Sequence, residues 1–131
     1  MNLNDKVVLI TGASSGIGKA IAQELVKYKC KIALTARRIE LLNELKNDLN
    51  IPDERILIIK SDVGKSEDVE NAYKLIKEKF GNVDIAILNA GVGKNVTLEN
   101  YYAKYAKDII NANFLGIVNW VDKLLPDFLE R

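Results

Sequence analysis

The sequence predicts an α/β chain: a doubly wound parallel sheet, strand order 3-2-1-4, with a helix between consecutive strands. Three observations predict it. Four short apolar runs, Val7–Ile10, Ile32–Leu34, Ile56–Ile59 and Ile85–Leu88, are continuous rather than alternating, as befits strands covered on both faces. The segments between them carry apolar residues at helical spacing. The first run leads directly into TGASSGIGKA, residues 11–20, where Gly12, Gly16 and Gly18 surround Ala13, Ser14 and Ser15.

The elements follow in order. Helix one starts around Gly16 and is expected to bury Ile17, Ile21 and Leu25. After the second run, Leu42, Leu45 and Leu49 mark a second helix, stopped near Asn50 and Pro52. In the third helix Val69, Ala72, Tyr73, Ile76 and Phe80 form one stripe. Ser66 is its expected N-cap, Glu67 and Asp68 suit its positive end, and Gly81 ends it. Strand four covers Val83 to Leu88, followed by a loop, NAGVGKNVT, and a helical region from about Leu98 to Leu129 that Pro126 kinks or ends. Short connections of this kind give parallel strands. The order 3-2-1-4 puts the topological switch point between strands one and four, and ligands of open α/β sheets bind there, at the strands' carboxyl ends. The glycine turn and the NAG loop both land at that point.

Bulk properties narrow the function. At 131 residues the chain suffices for one domain with a real core, and no internal repeat suggests a second, so residues 1–131 are read as a single domain. A net charge of +1 from 19 basic and 18 acidic residues leaves no footprint for nucleic acid or a membrane surface. No apolar run reaches the length of a membrane span, and MNLNDK lacks the profile of a signal peptide. The lone Cys30, read as a structural residue beside strand two, excludes an internal disulfide and fits a cytoplasmic setting. Histidine is absent, which removes His-based acid–base catalysis, Ser-His-Asp triads and His-ligated metals. No metal site is expected.

A helix N-terminus offers unpaired amides and a positive dipole end, and a phosphate reaches them only where no Cβ intervenes. In this turn Gly12 makes the sharp exit from strand one, Gly16 the close approach and Gly18 the packing of helix on sheet, while Ser14 and Ser15 add hydroxyl donors. The alternative is a glycine-rich turn that binds nothing.

TGASSGIG resembles the T-G-x-x-x-G-[IL]-G signature of the short-chain dehydrogenase/reductases. Ser61-Asp62-Val63 is similar to the family's D-V element, Asn89-Ala90-Gly91 to its N-A-G, and Asn111-Ala112-Asn113-Phe114-Leu115-Gly116 to the segment holding its structural-catalytic asparagine. The resemblance runs through essentially the whole chain and implies a Rossmann-type fold. It implies a dinucleotide held by Gly12, Ser14, Ser15, Gly16, Ile17, Gly18, Asp62, Val63, Asn89, Ala90 and Gly91, with Asp62 on the adenine amino group and Asn113 as the catalytic-set residue. The spacing departs from the T-G-x-x-G-x-x-G of extended epimerases, and Gly18-Lys19-Ala20 fails the P-loop pattern.

An NAD-selective site ends strand two with an acid that bonds the ribose 2′-hydroxyl. Here that end reads Thr35-Ala36-Arg37-Arg38, with Ala36 in the acid's place. Arg37 suits a bidentate contact with a 2′-phosphate. Arg38 is the more solvated of the pair, and Lys19 adds charge nearby or is simply a surface cation. NADP(H) is therefore expected over NAD(H).

The resemblance also implies a catalytic serine and a Tyr-x-x-x-Lys pair, the lysine lowering the pKa of a phenol that otherwise titrates near 10. The one such pair, Tyr73 to Lys77, precedes the NAG loop and lies on the core stripe of helix three. It is assigned to packing. Tyr101, Tyr102 and Tyr105 have no lysine four residues on, and no serine follows Ser66. Three readings stand: the amino-terminal portion of an oxidoreductase that interconverts ketones and secondary alcohols, truncated before strand five, which is favoured; a short non-catalytic NADP-binding regulatory or interaction module; or a half-site completed by another chain. Strand four would have an uncovered edge, and Phe114, Ile117, Val118, Trp120, Val121, Leu124 and Leu125 cannot all be covered within the chain. A homo-oligomer through strand four, the long helix or both is expected.

Overall fold

The apolar runs, rich in β-branched residues, form four parallel strands. The computed structural model describes residues 1–93 and 95–131; Lys94, within the expected loop 89–97, lies outside the described residues. The order along the chain is β1 (Val7–Thr11), α1 (Gly16–Leu25), β2 (Lys31–Ala36), α2 (Ile39–Leu49), β3 (Ile56–Lys60), α3 (Ser66–Phe80), β4 (Ile85–Ile87), α4 (Ala103–Ile110), a π-helical segment (Asn111–Leu115) and α5 (Gly116–Glu130). The sheet order is β3-β2-β1-β4, with Leu9 opposite Ala33 and Ala86, and Ala33 opposite Leu57.

The sheet divides the core in two. Val8, Ile10, Ile32, Leu34 and Ile56 pack with Ala22, Leu42 and Leu45 from α1 and α2. Val7, Leu9, Ala33 and Ile59 pack with Val69, Ala72 and Ile76 of α3 and with Trp120 and Leu124 of α5. Cys30 is buried beside β2, and that burial raises its thiol pKa, which keeps it an inert structural group.

Several boundaries differ from expectation. Ile17 is 72% exposed, because Gly18 and Ala22 take the inner face of α1. The N-cap of α3 is Lys65, with Ser66 the first helical residue and no side-chain cap. There Asp68 reaches back to accept from the Asp62 amide at 2.9 Å, a bond that ties the start of the helix to the loop before it. Regular pairing of β4 is shorter than Val83 to Leu88, since the Asp84 carboxylate, not a strand carbonyl, accepts from the Val7 amide at 2.8 Å. Helix begins at Ala103, not Leu98: Thr97 and Asn100 close a turn, the Thr97 amide donating to Asn100 Oδ1 at 2.7 Å, and Tyr101 precedes the Tyr102 N-cap.

Pro126 lies inside α5, which continues to Glu130. The missing proline amide leaves the Asp122 carbonyl without its helical donor, and Asp122 and Pro126 are both exposed, so water can serve it. The turn beyond is held from α3, where the Tyr73 hydroxyl and the Lys77 ammonium (2.8 Å) both donate to Asp127 Oδ2. Those two bonds, Lys77 first, hold the Asp127 carboxyl below its ordinary pKa. A depressed pKa in the folded chain stabilises it above the unfolded value of about 3.9, and the gain is lost as pH falls through the folded value. Asp127→Asn is therefore expected to lower stability to denaturant near pH 6 and to flatten its fall below about pH 4. An acid limb identical to that of the parent would refute this role.

Candidate functional site

At the carboxyl ends of the strands a crevice of about 300 Å³ opens between the β1–α1 turn, the end of β2, the β3–α3 loop and the segment after β4. Its floor follows from the glycine turn. Gly12 (φ +65) turns the chain sharply out of β1, and among the described residues nothing lies within 4 Å of where a Cβ on Gly16 (φ +55) would stand. That open space faces the start of α1, whose first turn has no side-chain cap. Gly18 does a different job. A Cβ there would run into the Gly12 carbonyl oxygen and lie 2.7 Å from Asn89 Nδ2.

Asn89 ties the two loops together, Nδ2 donating to the Thr11 and Gly12 carbonyls at 3.3 Å each. Alongside, the Ala90 amide donates to Thr11 Oγ1 at 3.0 Å. Asp62 is shaped by its own turn, Oδ1 accepting from the Gly64 amide at 3.0 Å.

Of the residues singled out from sequence, Gly12, Ser14, Ser15, Gly16, Ile17, Arg37, Arg38, Asp62, Val63, Asn89, Ala90 and Gly91 line this crevice. Gly18 and Asn113 stand behind its wall. Asn113 lies in the π-helical segment and clasps Val92, Oδ1 accepting from its amide at 2.7 Å and Nδ2 donating to its carbonyl at 2.9 Å. Arg38 is exposed and reaches across to donate to Ser15 Oγ at 3.4 Å. Lys19 is half-buried on α1 and is not a lining residue. Beyond Arg37, Arg38 and Asp62 the crevice widens into a space of about 760 Å³ walled by Tyr105, Asp108 and Ile109 of α4.

Ala36, Ser61 and Ala112, quoted in the motifs but not assigned a contact, also line the crevice, as does Val92, which no motif contains. Val92 takes its place through backbone bonds that no side-chain pattern records.

Tyr73 and Lys77 lie away from this crevice, on Asp127. Burial, and then the bond to Asp127, raises the Tyr73 pKa. A phenol activated as a base needs the opposite shift. Their assignment to packing fits this geometry.

Strand order and crevice define a Rossmann-type doubly wound α/β protein. The chain belongs to the short-chain dehydrogenase family, a family of oxidoreductases: the family model described as short chain dehydrogenase matches residues 6–131. It is 36% identical over 131 residues to an uncharacterized oxidoreductase of Listeria monocytogenes, covering 100% of this chain and 53% of that one. A 3-ketoacyl-(acyl-carrier-protein) reductase from Brucella melitensis, solved with NADH, superposes with TM-score 0.90 at 32% identity, over 98% of this chain and 52% of that one. L-sorbose reductase from Gluconobacter frateurii, solved with NADPH and L-sorbose, gives TM-score 0.84 at 32% identity, over 96% and 48%. The chain thus spans about half the length of each of these three relatives. Among the described residues, no helix is long and apolar enough to cross a membrane.

Proposed function

We propose that residues 1–131 form a single NADP(H)-binding domain, the cofactor half of a cytoplasmic oxidoreductase that interconverts a ketone and a secondary alcohol. The observation that carries this reading is the open space over Gly16 in the same crevice as Arg37 and Arg38. A pyrophosphate would take the amides at the start of α1, with Ser14 and Ser15 adding donors. Adenine would lie against Asp62 and Val63, and a 2′-phosphate against Arg37 and Arg38. When bound, a nicotinamide dinucleotide supplies or accepts hydride. The protein's part is to hold it: Asn89 fixes the glycine turn to the loop after β4, and Asn113 fixes Val92 in the opposite wall.

The chain carries no serine beyond Ser66 and no Tyr-x-x-x-Lys after Gly91, so it is expected to bind cofactor with little or no turnover. The same feature favours a second reading, a non-catalytic NADP-binding regulatory or interaction module. Calorimetry and a steady-state assay with NADPH and a panel of ketones test both. Tighter binding of NADPH than NADH without turnover fits the proposal. NADH binding at least as tightly sinks the NADP(H) preference, and clear turnover by the homogeneous chain sinks the inactivity. Self-association through β4 or the long helix belongs to this reading. Phe114, Ile117, Val118, Val121 and Leu125 are all at least 40% exposed, and a monomer in light scattering would contradict it.

A further inference from the structure

The loop from Ser61 to Gly64 forms one wall of the crevice, and its own hydrogen bonds fix only part of it. Asp62 Oδ1 holds the Gly64 amide and Asp68 holds the Asp62 amide. The Val63 carbonyl is held from outside: Asn119 of α5 donates from Nδ2 to it at 2.8 Å, across 56 positions of sequence. Around this bond the helix meets the loop without a gap. Gly116 is buried, and a Cβ on it would come within 2.5 Å of Val63 Cγ2. The Asn111 side chain abuts Gly64 in the same way.

The helical run therefore touches both walls of the crevice. Residues two apart on a helix face away from each other; Asn111 meets the β3–α3 loop while Asn113 clasps Val92 on the other side. Asn119 completes the grip on the first wall.

We propose that Asn119 is a positioning residue for the adenine end of the dinucleotide site, acting through Val63 rather than by touching the ligand. This rests on the cofactor reading above. The amide donor fixes the Val63 peptide plane, and with it the direction in which Asp62 and the Val63 side chain face the crevice. An apolar side chain of the same size would leave a part-buried carbonyl without a donor, and such a group turns toward water. The loop would then present its adenine contacts only part of the time, and apparent affinity falls with the populated fraction.

The test compares the parent chain with Asn119→Leu, which keeps the branching and the number of heavy atoms and removes the donor. Leu45→Ala is the control: Leu45 is 1% exposed in the core on the opposite face of the sheet. NADPH and NADH affinities are measured by calorimetry, and amide hydrogen exchange is followed in the ligand-free chain. Asn119→Leu is expected to weaken the tighter-binding dinucleotide about tenfold. It is also expected to speed exchange at the Asp62 and Gly64 amides about tenfold. Leu45→Ala should lose stability yet keep its affinity within about twofold. Unchanged binding in Asn119→Leu, or an equal loss in Leu45→Ala, overturns the proposal. If the parent binds neither dinucleotide, the cofactor reading fails by itself. Exchange then decides the pin: acceleration confined to residues 61–64 upholds it, and none refutes it. Should Asn119→Leu not fold, Asn119→Ser carries the same comparison.

Discussion

Gly16→Ala and Gly18→Ala are both expected to weaken dinucleotide binding by at least about 100-fold, with different effects on stability. At Gly16 the new methyl group meets none of the described residues. It occupies the space through which a phosphate would approach the α1 amides, and the positive φ adds strain of about 1–2 kcal/mol. Thermal unfolding should shift by only a few degrees. At Gly18 the methyl would collide with the Gly12 carbonyl, which is main chain and cannot swing aside, and with Asn89 Nδ2 at 2.7 Å. Relief requires the turn to open and the Asn89 bonds to Thr11 and Gly12 to lengthen. Overpacking of this kind costs about 1–3 kcal/mol. Calorimetric titration beside thermal melts separates the two effects. Parental affinity in Gly16→Ala would show that the space over that residue is not a phosphate cradle.

The second large effect concerns cofactor choice. Arg37→Ala is expected to weaken NADPH binding about 10- to 100-fold, the scale of one or two charge-assisted hydrogen bonds. NADH binding should stay within about threefold. Ala36→Asp should act in the same direction by placing an acid at the end of β2, where it repels a 2′-phosphate and can bond a ribose hydroxyl. Ala36 is 6% exposed and lines the crevice, so part of the carboxylate's cost will appear as lost stability. The discrimination should also weaken with salt, as an exposed charge contact does. Equal losses for both dinucleotides in Arg37→Ala would mean that the guanidinium does not read the 2′ position.

Much of the fold was legible because its strands are doubly covered. An apolar run such as Val7–Ile10 signals a buried parallel strand by continuity alone, and the strand order followed from the alternation of elements. The glycine turn was legible for a related reason: backbone that turns sharply or is approached closely needs residues without a Cβ. What escaped was set by geometry that composition does not encode. Widening a helix into a π segment at Asn111–Leu115 leaves the same kinds of residue in the same order. Ile17 fits a core stripe by spacing, yet the inner face of α1 belongs to Gly18 and Ala22 and leaves it exposed. Pro126 reads as a kink or an end until Asp127 is seen fastened to Tyr73 and Lys77 on α3. The Val92 contribution came from its main chain, invisible to any reading of side chains.

Trp120 is the only tryptophan of the chain, and it is 0% exposed, wedged with Leu124 between α5 and the sheet. Most other large apolar side chains of α5 face outward, so attachment of this helix depends heavily on those two. The single indole is thus the chain's only strong intrinsic fluorophore, placed at the joint whose separation would expose it. A red shift of its emission reports undocking of α5 without any label. Excited beyond the absorption of the five tyrosines, the signal comes from one residue at one site.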